Sequence, residues 1–169
     1  MKSLKLKKLV AAVLTLAAVT AVSPVAASAA WKQDSNGWWN TEGNSWSIGW
    51  RLIDGAWYHF DSTGYMSTGW INDNGTWYYA APSGAMKTGW VIDYSAGYGK
   101  WYYMNSSGAM QTGWINDNGT WYYCNASGAM QTGWLLDGST WYYLQANGAM
   151  AANTTIDGYV LGANGAWIQ

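Results

Sequence analysis

The sequence predicts an all-β solenoid of stacked β-hairpins, and three observations predict it. The first is a short internal repeat. Gly-Trp pairs place Trp50, Trp70, Trp90, Trp114 and Trp134 at intervals of 20, 20, 24 and 20 residues. A second tryptophan follows in each unit, at Trp57, Trp77, Trp101, Trp121 and Trp141, and a methionine closes it, at Met66, Met86, Met110, Met130 and Met150. Repeats of this period mark stacked arrays, in which one small unit cannot bury its own apolar face and must cover its neighbour's. The second observation is the turn chemistry. Asp73-Asn74-Gly75 and Asp117-Asn118-Gly119 separate two short runs of β-formers, and Asn-Gly tolerates the positive φ values of tight hairpin turns. The third is composition: 15 Trp and 13 Tyr with one Phe, in a chain whose charged residues make up only 10%.

The elements follow in order. Residues 1–29 read as a secretory signal. Lys2, Lys5, Lys7 and Lys8 give a basic start, Leu9 to Val22 is apolar apart from Thr15 and Thr20, and Ala27-Ser28-Ala29 supplies small residues for cleavage. The apolar run is short for a membrane span, which needs about 20 such residues. Residues 30–49 form an atypical N-terminal partial repeat, in which Trp31 and Trp38 keep the spacing of seven but lose the pattern after it. Residues 50–152 hold five repeats. In each, a strand such as Trp-Ile-Asn turns into a strand such as Trp-Tyr-Tyr, and a second turn (Ser83-Gly84, Ser107-Gly108) leads through Ala-Met to the next Gly-Trp. The third repeat is four residues longer between Tyr94 and Gly99, and an insertion that leaves its flanks in phase belongs in an exposed loop. Residues 153–169 are a degenerate C-terminal cap that keeps the Asp157-Gly158 turn.

Several function classes lose support. Beyond the leader, four Lys and Arg face nine Asp and Glu, a net charge of −5, which offers no footprint for nucleic acid. One Cys makes no disulfide framework, and one His makes no metal cluster. There is no Ser-His-Asp set, no phosphate-cradling glycine loop and no bidentate glutamate to turn the Asp-Asn-Gly turns into calcium loops. The chain reads as a non-enzyme without catalytic residues, cofactor or metal. Cys124 stands where other units have Ala80, Met104 and Leu144, the place of a strand packing residue.

The rings admit two readings from the residues alone. They are either core, each burying roughly 150–250 Å², or ligand-binding faces. Trp and Tyr are favoured where a ring is half buried and still offers a face. Electron-rich faces in a mildly negative field, with Asp54, Asp73, Asp93, Asp117, Asp137 and Asp157 near the turns, suit a quaternary ammonium. Such an ion carries charge but no N–H donor.

The pattern TGWINDNGTWYYxxxSGAMxTGW resembles the choline-binding repeats, the cell-wall-binding repeats of Gram-positive bacteria. The resemblance covers five consecutive units. It implies a left-handed superhelix of hairpins, secretion to the cell wall, and docking on the choline or phosphocholine of teichoic acids or a related wall polysaccharide. It also implies sites between successive hairpins, with two Trp from one unit, a Tyr from the next, and a lining Met. Carried over residue by residue, it predicts four cages: Trp50, Trp57 and Tyr79; Trp70, Trp77 and Tyr103; Trp90, Trp101 and Tyr123; Trp114, Trp121 and Tyr143. Strand alternation puts the Trp and second Tyr of Trp-Tyr-Tyr on one face and the middle Tyr on the other. Tyr58, Tyr78, Tyr102, Tyr122 and Tyr142 are then expected to be packing residues. Trp134 and Trp141 would find Leu161 in place of a third ring, and Trp31 and Trp38 would find His59. Two alternatives stay open: a carbohydrate-binding repeat protein, kept in play by Gln111, Gln131 and the turn Asn residues, and a structural surface repeat whose rings are all core. Whether a separate partner protein supplies an activity is not legible in the sequence.

Overall fold

The computed structural model describes residues 30–168. The expected secretory signal lies outside these residues. Every regular element among them is a β-strand. The first unit contains β1 (Trp31–Asp34), β2 (Gly37–Glu42) and the short β3 (Ser45–Trp46), paired in the order β1-β2-β3. Five two-stranded hairpins follow: β4 (Gly49–Ile53) with β5 (Ala56–Phe60), β6 (Gly69–Asp73) with β7 (Thr76–Ala80), β8 (Gly89–Asp93) with β9 (Lys100–Met104), β10 (Gly113–Asp117) with β11 (Thr120–Cys124), and β12 (Gly133–Asp137) with β13 (Thr140–Leu144). A shortened hairpin of β14 (Thr154–Ile156) and β15 (Tyr159–Leu161) ends the series. The stacked-hairpin solenoid expected from the sequence is therefore the fold. The N-terminal unit is more complete than the repeat pattern suggested, because Trp31 pairs with Asn40 and Asp34 with Gly37 in a regular antiparallel ladder.

The turns explain the sequence requirements. Asn74 and Asn118 sit at φ of 50° and 51°, each followed by a glycine at φ of 86° or 88°. This left-handed pair joins two strands with the right twist, and Asn and Gly bear it at least cost. In the second turn, Asn105 Oδ1 accepts from the backbone N–H groups of Ser107 and Ala109, at 2.9 and 3.0 Å, which closes the loop around Gly108. Gly108 has φ of 83°, and a Cβ there would collide with the side chain of Met86 in the preceding unit.

No ladder joins one hairpin to the next; each forms its own two-stranded sheet. The units are held by a recurring backbone bond instead. The N–H of the closing Met donates to the carbonyl of the second-strand Trp one unit back: Met86 to Trp57, Met110 to Trp77, Met130 to Trp101 and Met150 to Trp121, all at 2.8 Å. Met66 to Trp38 and Trp167 to Trp141 continue the series at 2.7 and 2.9 Å. The core is a column of strand-end residues, Phe60, Ala80, Met104, Cys124, Leu144 and Leu161, each no more than 1% exposed. Cys124 occupies the packing position its repeat equivalence predicts. Burial pushes its thiol up to about 11.

Candidate functional site

The site follows from which faces meet. Within a hairpin, Trp70 pairs with Tyr79 and Asn72 with Trp77 across the strands, so these four share one face. Ile71, Tyr78 and Ala80 take the other. Stacking brings the tryptophan face of one unit against the opposite face of the next. Trp50 therefore meets the middle tyrosine of the following unit: the Trp50 and Tyr78 ring centroids are 4.9 Å apart. The same contact recurs between Trp70 and Tyr102 at 4.6 Å, Trp90 and Tyr122 at 4.8 Å, and Trp114 and Tyr142 at 4.8 Å.

The ring of the next unit that lies against each Gly-Trp residue is therefore the middle tyrosine, and not the second tyrosine named in the four expected cages. In two of the four predicted cages the tryptophans are in ring contact: Trp70 and Trp77 lie 6.2 Å apart at 85°, and Trp114 and Trp121 lie 6.4 Å apart at 81°. But Tyr79, Tyr103, Tyr123 and Tyr143 do not cross to the preceding unit. Each packs edge-on behind the Gly-Trp residue of its own hairpin, at 5.0–5.3 Å. Strand alternation separated the two tyrosines correctly. It could not say which face the neighbouring hairpin presents, and that face carries the middle tyrosine.

The same rule extends the series at both ends. Trp31 meets Tyr58 at 4.9 Å, not His59, and Trp31, Trp38, Tyr58 and Met66 line a cavity of about 300 Å³. His59 instead stacks edge-on against Trp50 of its own hairpin, with Nδ1 2.9 Å from Ser67 Oγ. Desolvation holds its imidazole below the ordinary value of 6.5. At the other end, Leu161 belongs to the core column, and the ring facing Trp134 is Tyr159, at 5.3 Å. Trp167 takes the place of the closing Met and stands 5.2 Å from Tyr159. Trp134, Trp141, Tyr159 and Trp167 enclose about 380 Å³. The missing signal was Trp167: its pairing with Leu161 repeats that of Met150 with Leu144, but the last hairpin is shorter and breaks the repeat interval. An internal cage, that of Trp114, Trp121, Tyr142 and Met150, measures about 260 Å³.

The rings are not simply core. The second-strand tryptophans Trp38, Trp57, Trp77, Trp101, Trp121 and Trp141 are 37–44% exposed. The recurring carboxylates divide into two jobs. Asp73, Asp93, Asp117 and Asp137 accept the indole N–H of the preceding unit's Gly-Trp residue: Trp50 to Asp73 at 3.1 Å, Trp70 to Asp93 at 3.2 Å, Trp90 to Asp117 at 3.0 Å and Trp114 to Asp137 at 2.9 Å. A charged acceptor on the indole edge fixes the ring plane and enriches its π face in electron density, which favours a cation over that face. Hydrogen bonding from the Ser95 hydroxyl keeps the Asp93 carboxyl below its usual range. Asp54 and Asp157 do a different job, at the positive-φ corners of their turns. The insertion in the third unit projects from the hairpin tip, with Tyr94 and Tyr98 65% and 61% exposed.

Three joints thus hold a half-open box of rings: Trp31, Trp38 and Tyr58 with Met66, Trp114, Trp121 and Tyr142 with Met150, and Trp134, Trp141 and Tyr159 with Trp167. Such a box can hold a compact organic cation through ring faces. Among the described residues there is no cluster of metal-ligating side chains.

Comparison with known proteins gives the family and the fold. The family model described as "Choline-binding repeat" matches residues 47–90, 67–112 and 111–154. The solved structure of CbpJ from Streptococcus pneumoniae is similar over 83% of this chain and 48% of its own, with 44% identity and a TM-score of 0.75. Choline binding protein F of the same organism, crystallised with a peptidoglycan analogue, matches over 82% and 46%, with 46% identity and a TM-score of 0.73. A multimodular pneumococcal cell wall endolysin from phage Cp-1, complexed with choline, matches over 80% and 41%, with 42% identity and a TM-score of 0.52. The chain spans about half the length of CbpJ and of choline binding protein F. No curated protein matches it.

Proposed function

The chain belongs to the choline-binding repeat family, and from that premise we propose that it is a non-catalytic cell-wall-binding module that grips choline-decorated polymers through its inter-hairpin boxes. Choline in such polymers, as on teichoic acids, presents a trimethylammonium group that has charge but no hydrogen to donate. The observation that carries the reading is the repeated wall set of Trp, Trp and the next unit's middle Tyr. In the proposed site list Tyr78, Tyr102, Tyr122 and Tyr142 therefore replace Tyr79, Tyr103, Tyr123 and Tyr143. The boxes of Trp31 and Trp38 and of Trp134 and Trp141 join the four predicted from the sequence.

At the C-terminal box the chemistry of the walls favours a quaternary ammonium over a sugar. A sugar needs hydrogen-bonding groups aimed into the site, whereas the C-terminal box is lined by four aromatic rings. At the four internal joints the turn carboxylate is taken by the indole N–H. Each ring face contributes about 0.5–2 kcal/mol to a bound cation, so one box binds weakly. Several boxes on one solenoid gain strength against a polymer that repeats the same group, because each later contact is intramolecular. Export and wall association follow from this reading.

The test is retention on a resin bearing choline-like quaternary ammonium groups. Choline chloride should release the bound chain at a concentration where sodium chloride of equal ionic strength does not. Release by both salts alike would reduce the interaction to ion exchange and remove the proposal's support.

A further inference from the structure

The N-terminal unit presents one half of an inter-hairpin joint with no described hairpin before it. Trp39 pairs with Lys32 in the position that Tyr78 holds opposite Ile71. Trp46 pairs with Thr41 as Met66 pairs with Phe60. Asp34 pairs with Gly37 as Asp73 pairs with Thr76. Gly64 abuts the Trp46 ring just as Gly84 abuts Met66. The half that supplies Tyr, Met and Asp to an internal joint therefore has its counterparts here, and two of its three places carry a larger side chain. Trp39 replaces the Tyr, Trp46 replaces the Met, and Tyr65 stands where later units have Ala85, Ala109, Ala129 and Ala149. These residues enclose a cavity of about 270 Å³ that Asp34, Thr63 and Gly64 complete. Trp46 is 48% exposed.

The donor to the carboxylate distinguishes this cavity from the four internal joints, where it is an indole N–H. Asp34 Oδ1 accepts from the backbone N–H groups of Asn36 and Gly37, at 2.8 and 3.3 Å, and Oδ2 accepts from the Tyr65 hydroxyl at 2.9 Å. Oδ2 is the oxygen that receives an indole N–H in Asp73. In Asp34 the Tyr65 hydroxyl takes that place, and Oδ2, like that of Asp73, has a second lone pair for another donor. The Asn36 N–H bond keeps the carboxyl below its usual range, so it is anionic at neutral pH. A cavity lined by three rings and an anionic acceptor matches a cation with an apolar stem and N–H donors.

We propose that Trp39, Trp46, Tyr65 and Asp34 form a separate site for a protonated primary alkylamine, distinct in ligand class from the quaternary-ammonium boxes. The alkyl stem lies against the rings, and the ammonium donates to Asp34 Oδ2. This site stands on its own geometry and does not depend on choline binding elsewhere.

The experiment is an NMR titration of the ¹⁵N-labelled chain, following the indole N–H signals of Trp39 and Trp46. The probes are n-butylammonium chloride and tetramethylammonium chloride, with sodium chloride as control. Butylammonium should shift both signals saturably, and tetramethylammonium should bind there at least about fivefold more weakly, the loss expected for one charge-assisted hydrogen bond. Asp34→Asn keeps an oxygen for the Asn36 and Gly37 bonds, and it should weaken butylammonium by a similar factor while the other indole signals stay in place. Trp46→Leu removes a ring and should weaken it as well. Absent or non-saturating shifts, equal affinity for the two cations, or an Asp34→Asn variant that binds as tightly as the parent would each overturn the proposal.

Discussion

Replacing Tyr78 and Tyr79 one at a time separates two neighbouring rings with different jobs. Tyr78 faces Trp50 of the preceding unit at 4.9 Å, whereas Tyr79 lies behind Trp70 of its own hairpin at 5.2 Å. Tyr78→Leu keeps apolar bulk but removes the ring that faces Trp50 from the proposed Trp50 and Trp57 box. One cation–π contact is about 0.5–2 kcal/mol, and 1.4 kcal/mol is tenfold in affinity, so choline affinity at that box should fall between about twofold and thirtyfold. Tyr79→Leu loses an edge-to-face pair of about 0.5–1.5 kcal/mol. That loss falls on stability, leaving the Trp50 box close to the parent's affinity. The assay is a choline titration read from the indole N–H signals of Trp50 and Trp57, with a urea midpoint for each variant. If Tyr79→Leu weakens choline at those two signals and Tyr78→Leu does not, the face assignment is wrong.

Three further outcomes follow from the same contacts. Asp117→Ala removes the charged acceptor 3.0 Å from Trp90 Nε1; it should cost about 1–2 kcal/mol in urea unfolding and broaden the Trp90 indole signal. Gly108→Ala places a methyl group at φ of 83° and against Met86, and should destabilise by at least about 1 kcal/mol, from the left-handed backbone alone. Unchanged stability would contradict both the left-handed backbone at this position and the close Met86 contact. Burial holds the His59 imidazole below 6.5 in the folded chain. Between the two values the unfolded chain binds more protons, so stability is fully present above 6.5 and declines as pH falls through that point. Thermal melts from pH 7.5 to 5 should show this decline, and His59→Tyr should flatten it.

Much of this molecule is legible in the sequence because the code is local. Asn74-Gly75 fixes a tight turn, the seven-residue Trp spacing fixes a hairpin, and equivalence with Ala80 and Leu144 places Cys124 in the core column. What was not legible depends on how one hairpin lies on the next. Alternation tells that Tyr78 and Tyr79 point opposite ways, but only the stack shows that Tyr78 turns toward Trp50. The two kinds of Asp were hidden for a related reason. Asp54 and Asp73 both sit near a turn in sequence, yet Asp54 occupies the turn corner at φ of 50° while Asp73, the last residue of β6, reaches the preceding indole. The C-terminal box escaped a reading by fixed period because shortening the last hairpin moved Tyr159 and Trp167 out of phase without changing their place in the fold.

The most direct measurement is a crystal structure of the chain grown with saturating choline. The account predicts trimethylammonium groups at the inter-hairpin joints, each nitrogen within about 6 Å of the two Trp rings and of the next unit's middle Tyr, such as Tyr142 for Trp114 and Trp121. Joints left empty at saturation, or choline seated against Tyr143 instead of Tyr142, would contradict it.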